Sequence, residues 1–135
     1  MTSQVNGRLR ASLPTALILL AGIYLILSPW VVASTGRFGL AASNTITGLA
    51  LVLLAVGFAW PARPPGGIAW VIPVIGGWVI GSPWAIYQGS GIVPMDILGG
   101  VPPLTTAAWL NNVIVGAVVL LAGVVLTLAV NRPVR

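Results

Sequence analysis

Leu25-Ile26-Leu27-Ser28-Pro29-Trp30-Val31-Val32 recurs further along the chain as Val79-Ile80-Gly81-Ser82-Pro83-Trp84-Ala85-Ile86. Each copy closes a long apolar run. Each is followed, after a loop, by a second motif that opens another run: Asn44-Thr45-Ile46-Thr47-Gly48, then Asn112-Val113-Ile114-Val115-Gly116. One unit of two apolar segments is thus written twice. Aligned on Ser28 and Ser82 the offset is 54 residues, and Gly22 meets Gly76 while Tyr24 meets Trp78. Aligned on Asn44 and Asn112 the offset is 68 residues, so the second loop carries an insertion.

Four apolar stretches result, over about 13–33, 41–60, 67–87 and 106–130, and none contains a charged residue. A bilayer core of about 30 Å needs about 20 helical residues. Barrel strands would be shorter and would alternate polar with apolar. Helices satisfy their own backbone groups, as lipid requires. The fold class is therefore all-α integral membrane, with four transmembrane helices arranged as two parallel two-helix hairpin repeats. The single membrane domain divides into repeat 1, about 13–60, and repeat 2, about 67–130. Two spans per unit point both copies the same way, which predicts a pseudo-two-fold axis along the membrane normal.

Composition agrees. Hydrophobic residues make up 58% of the chain and charged residues 5%, whereas a soluble domain carries about 25% charged residues. So few charges cannot cover a water-facing surface. The first run, with Arg8 and Arg10 before it, has the outline of a signal peptide. It exceeds the usual signal core, and cleavage would remove one repeat copy, so a retained helix is expected. The 61–66 link is short and proline-rich. The 88–105 segment is longer, with Pro94, Pro102 and Pro103, and reads as a plain loop rather than a re-entrant one.

Arginine placement orients the chain. One side holds Arg8, Arg10, Arg63, Arg132 and Arg135; the other holds Arg37 and the lone acid, Asp96. Positive charge is retained in the cytoplasm, so both termini are expected there. Scattered singly between apolar runs, these arginines do not form a nucleic-acid surface. Trp30, Trp60, Trp70, Trp84, Tyr87 and Trp109 fall near span ends, where amphipathic rings favour the headgroup level. Trp78 is expected deeper.

The absences bear on function. The chain has no histidine, cysteine, lysine or glutamate. A closed zinc site, a histidine-ligated haem and a Ser-His-Asp triad are excluded within it. No catalytic, metal or cofactor-binding residue is expected. Proton-coupled transport usually needs an ionisable side chain inside the membrane, and the spans have none.

The candidate residues are structural. Pro29 and Pro83 remove one N–H each and free the carbonyls of Leu25 and Val79. Ser28 and Ser82 are expected to bond back to Tyr24 and Trp78, and Trp30 and Trp84 to anchor the bent ends. Asn44 and Asn112 read either as helix N-caps or as donors across to a neighbouring helix. In the second case they reach Leu25 and Val79 directly, or through Ser28, Ser82 or water. Gly48 and Gly116 then allow close approach. Gly77-x-x-x-Gly81 is a helix-packing pair, within the chain or against another copy.

The two Ser-Pro-Trp segments and the two Asn-x-x-x-Gly segments together resemble the SPW-repeat family of small bacterial membrane proteins. The likeness covers nearly the whole chain, although the long second loop departs from the pattern. It implies a multi-pass inner-membrane protein and no particular reaction. The expected role is that of a non-enzymatic accessory subunit or scaffold, packed against lipid and a larger membrane partner or self-associated. The alternatives are a small transporter or channel lined by Ser, Thr and Asn, and a lipid-binding protein using the Trp-rich outer face.

Overall fold

The computed structural model describes residues 2–31, 38–60, 66–87 and 106–132, and side chains over 12–31, 39–60, 67–86 and 106–132. Helix α1 runs over Thr2–Val31, α2 over Phe38–Ala59, α3 over Val71–Tyr87 and α4 over Thr106–Val130. No strand occurs among the described residues. The 88–105 loop, Arg37, Arg63 and Asp96 lie outside them.

Three helix starts differ from the apolar runs, α2 by three residues at Phe38. The first begins eleven residues earlier, at Thr2. Hydropathy finds the lipid-embedded part of a helix, and 2–12 continue it with polar residues and no proline. The third run opens as a 3-10 turn over Gly66–Trp70 before α3 begins. Gly66 and Gly67 disfavour an α start, and Pro73 has no N–H for the Ala69 carbonyl. At the other end of α2 the Trp60 N–H is shared between the carbonyls of Val56 (3.1 Å) and Gly57 (3.3 Å), tightening the last turn.

The helices form a ring in which each packs against its two neighbours, with α1 closed against α4. Among the described residues the diagonal pairs, α1 with α3 and α2 with α4, nowhere bring Cα atoms within 8 Å. Ile18, Leu25, Leu51, Phe58, Ile72, Val79, Val119 and Leu126 build the apolar core. Large apolar side chains also cover the outside, among them Leu13, Leu20, Leu53, Val74 and Leu121. Four windows, within Ser12–Val31, Gly39–Ala59, Gly67–Ile86 and Thr106–Val130, are long and apolar enough to span, and each is only 33–39% buried inside the chain. Water cannot solvate the remainder, so the protein is a multi-pass membrane protein.

Glycines bring the paired helices together. A Cβ on Gly22 would lie 2.8 Å from the Gly48 carbonyl oxygen, and one on Gly48 would lie 2.5 Å from that of Gly22. In the other hairpin a Cβ on Gly76 would lie 2.5 Å from the Leu120 nitrogen, and one on Gly116 would lie 2.9 Å from the Gly76 oxygen. Without a hydrophobic force between helices in lipid, such close van der Waals contact is a main source of association. The expected pair Gly77 and Gly81 is not part of it: an added Cβ on either meets nothing within 4 Å. Helical geometry decides this, because residues one apart differ by about 100° around the axis. Gly76 faces α4, so Gly77 faces out.

Candidate functional site

Pro29 lies inside α1 and Pro83 inside α3, both buried. The carbonyls they free are answered within their own helices. The Ser28 hydroxyl donates to the Leu25 oxygen at 2.8 Å, and the Ser82 hydroxyl donates to the Val79 oxygen at 3.0 Å. These bonds run three residues back, not four to Tyr24 and Trp78 as the sequence suggests. The carbonyl three back is the one that proline leaves without an amide, and it is the stronger acceptor for being unpaired.

With its proton committed, each serine oxygen presents lone pairs to the bundle interior. Asn44 Nδ2 donates to Ser28 Oγ at 3.2 Å, and Asn112 Nδ2 donates to Ser82 Oγ at 3.0 Å. The two amides also pair with each other. Asn44 Nδ2 donates to Asn112 Oδ1 at 2.9 Å, and Asn112 Nδ2 donates to Asn44 Oδ1 at 3.0 Å. A continuous chain of hydrogen bonds therefore runs from the Leu25 carbonyl through Ser28, Asn44, Asn112 and Ser82 to the Val79 carbonyl. It touches all four helices. The asparagine pair crosses the α2–α4 diagonal, which the backbones do not bridge.

All four side chains are fully or almost fully buried. Each carboxamide has two N–H donors, and both donors of Asn44 and of Asn112 have acceptors in this cluster. A half-satisfied network in an apolar bundle would be worse than none, so this degree of closure matters. The N-cap reading of the asparagines does not hold: Asn44 and Asn112 each lie six residues inside their helices, about 9 Å from the first residue. In lipid the first-turn donors of these helices need partners at the end, and an amide this deep reaches sideways instead.

Three polar contacts flank the cluster, and sequence reasoning missed all of them; in one, Asn111 Nδ2 donates to Asn112 Oδ1 at 3.4 Å. Tyr24 Oη donates to Asn111 Oδ1, joining α1 to α4. Trp78 Nε1 donates to Ser43 Oγ at 3.2 Å, joining α3 to α2. The signal was present. The 54-residue offset pairs Tyr24 with Trp78, and the 68-residue offset pairs Ser43 with Asn111. Trp84 and Trp109 meet edge to face with centroids 4.9 Å apart, tying the end of α3 to the start of α4. That contact is worth about 0.5–1.5 kcal/mol beyond burial.

The serines allow a direct test of the proline argument. Ser28→Ala leaves the Leu25 carbonyl and one Asn44 donor unanswered, and should destabilise by about 1–2 kcal/mol. Adding Pro29→Ala restores an amide for that carbonyl. The double variant should recover part of the loss in thermal unfolding, whereas a tertiary role for Pro29 alone would make it worse than Ser28→Ala.

The cluster holds neutral amides and hydroxyls only. It cannot exchange a proton near neutral pH, and its amide donors are aimed at one another rather than at an opening. Its chemistry is that of a lock between helices. Compared with known proteins, the chain matches none of the curated proteins and none of the solved structures searched. The model of the SPW repeat domain matches residues 12–126, which takes in both Ser-Pro-Trp segments and both asparagines. The chain belongs to the SPW-repeat family.

Proposed function

We propose that this chain is a non-enzymatic structural subunit of a bacterial inner membrane, a scaffold that packs against a larger membrane protein. The observation that carries this reading is the closure of the central cluster. A transport path or a catalytic site needs donors and acceptors directed at a ligand. Here the buried amide donors of Asn44 and Asn112 are taken up by Ser28, Ser82 and each other. The sequence supplies no histidine, cysteine or intramembrane carboxylate to add chemistry. What the chain does offer is a stiffened bundle with an apolar outside.

The reading includes two hairpins related by rotation about the membrane normal. Matched contacts support it. Gly22 with Gly48 corresponds to Gly76 with Gly116, and Tyr24 with Asn111 corresponds to Trp78 with Ser43, on the same two offsets. On this reading the Asn44–Asn112 pair lies on the axis.

Purification of the tagged chain in a mild detergent tests the role. A larger membrane protein should co-purify at fixed stoichiometry. Solute flux through proteoliposomes of the chain alone would instead make it a transporter or channel. Orientation is tested separately. With Ser3→Cys, Ser90→Cys and Val134→Cys made in turn, an impermeant thiol reagent applied from the periplasm should label only position 90. Five arginines on the terminal side motivate that result, and labelling at either terminus would reverse the topology.

A further inference from the structure

We propose that the seam between α1 and α4 seats one acyl chain of an anionic phospholipid, its headgroup at the arginine-bearing end of the two helices. The seam holds a shallow groove of about 190 Å³. Leu17 and Leu20 of α1 and Ile114 and Val118 of α4 line it, and the small side chain of Ala21 lies at its base. Tyr24 ends it, with its hydroxyl turned to Asn111. The lining is apolar and faces the surroundings of a membrane-spanning bundle, so what fills it is hydrocarbon.

Charge selects the kind of hydrocarbon. Helices α1 and α4 run antiparallel, because Tyr24 meets Asn111 while Leu17 lies with Val118 across the groove. The N-terminal part of α1 and the end of α4 therefore share one end of the seam. Arg8 and Arg10 lie on α1 before its membrane span, and Arg132 follows α4 and is exposed. The sequence contains one acidic side chain, Asp96, which falls between α3 and α4 in the sequence and in neither α1 nor α4. An anionic headgroup thus meets a cationic end with no Asp or Glu side chain in the adjoining segments.

Lengths agree. Half of a bilayer's hydrocarbon core is about 15 Å. From Arg10 to Leu20 the helix rises about 15 Å at 1.5 Å per residue. An acyl chain anchored at the level of the arginines reaches the groove within its own leaflet. Exposed Leu13 continues the apolar track between the two. This seat lies away from the tryptophans of the opposite end, so it is a different surface from the Trp-rich face.

The full-length chain in a neutral detergent, titrated with phosphatidylglycerol or with phosphatidylcholine of the same acyl chains, tests this by native mass spectrometry. One phosphatidylglycerol should be retained, about ten-fold more tightly than phosphatidylcholine, as arginines near a headgroup predict. Val118→Trp and, separately, Leu20→Trp should fill the groove and cut retention about five-fold, the equivalent of about one buried methylene. Leu20 is exposed, so its variant tests the groove even if Val118→Trp fails to fold. Ala50→Trp, at the matching position on α2, should leave retention unchanged. Replacing Arg8, Arg10 and Arg132 by Gln should abolish the preference for phosphatidylglycerol. Equal binding of the two lipids would overturn the proposal, as would unchanged retention in both tryptophan variants. A disulfide-linked dimer formed by Val118→Cys in the membrane would also overturn it, assigning the seam to a second copy.

Discussion

Gly76→Ala should disrupt the second hairpin, while Gly77→Ala, one residue on, should leave the protein as stable as the parent or slightly more so. At Gly76 the added Cβ would lie 2.5 Å from the Leu120 nitrogen and 2.8 Å from its Cα. Both are backbone atoms and cannot swing aside, so α3 and α4 must part. Overpacking typically costs 1–3 kcal/mol, and a clash with backbone along a helix seam belongs at or above the top of that range, about 3 kcal/mol. At Gly77 the Cβ meets nothing within 4 Å, and alanine gains up to about 1 kcal/mol of helix propensity. Thermal unfolding in detergent, followed by helical circular dichroism, separates the two. If Gly77→Ala falls as far as Gly76→Ala, the outward glycine face is a contact surface and the packing account is incomplete. Gly48→Ala should behave like Gly76→Ala, since its Cβ would lie 2.5 Å from the Gly22 oxygen.

Asn112→Leu should be the most damaging isosteric change in the polar cluster. It removes both bonds of the reciprocal amide pair, the donor to Ser82 and the acceptor of the Asn111 amide. Hydrogen bonds between membrane helices average about 0.6 kcal/mol and reach about 1.7 kcal/mol. Stranding the Asn44 carboxamide adds the penalty of an unanswered buried polar group, about 1–3 kcal/mol. The sum is on the order of 2–3 kcal/mol, with α2 and α4 losing their side-chain link. Ser82→Ala should cost less, because Asn112 keeps its partner on α2. If Ser82→Ala proves worse than Asn112→Leu, the proline-freed carbonyl matters more than the amide pair.

Much of this was legible in the sequence, for identifiable reasons. Four uncharged apolar runs leave helices as the one way to satisfy a backbone in lipid, so the architecture followed from composition and length. Proline's missing N–H pointed to Leu25 and Val79, and the asparagines were matched to the serines as one possible route to them. Three things were not legible. The choice between Gly76 and Gly77 depends on helix rotation, and a Gly-Gly step gives no phase. The N-cap reading of Asn44 and Asn112 failed because α2 begins at Phe38 and α4 at Thr106, six residues before each asparagine, and an Asn is equally compatible with a cap or an interhelical donor. The Asn44–Asn112 bond was hidden because it joins residues on diagonal helices. Sequence offsets pair equivalent residues but do not say which of them meet across the bundle.

The reciprocal bond also alters what a double substitution should do. Two independent braces would add. A shared bond means that the second substitution removes a group already stranded by the first. The double-mutant cycle over Asn44→Leu and Asn112→Leu, measured by reversible unfolding in detergent or bilayer, is the most direct test that the two hairpins are locked through these amides. The predicted result is a double variant destabilised by clearly less than the sum of the singles, with a coupling of about 1–2 kcal/mol. Strictly additive losses, or singles that unfold like the parent, would contradict the lock.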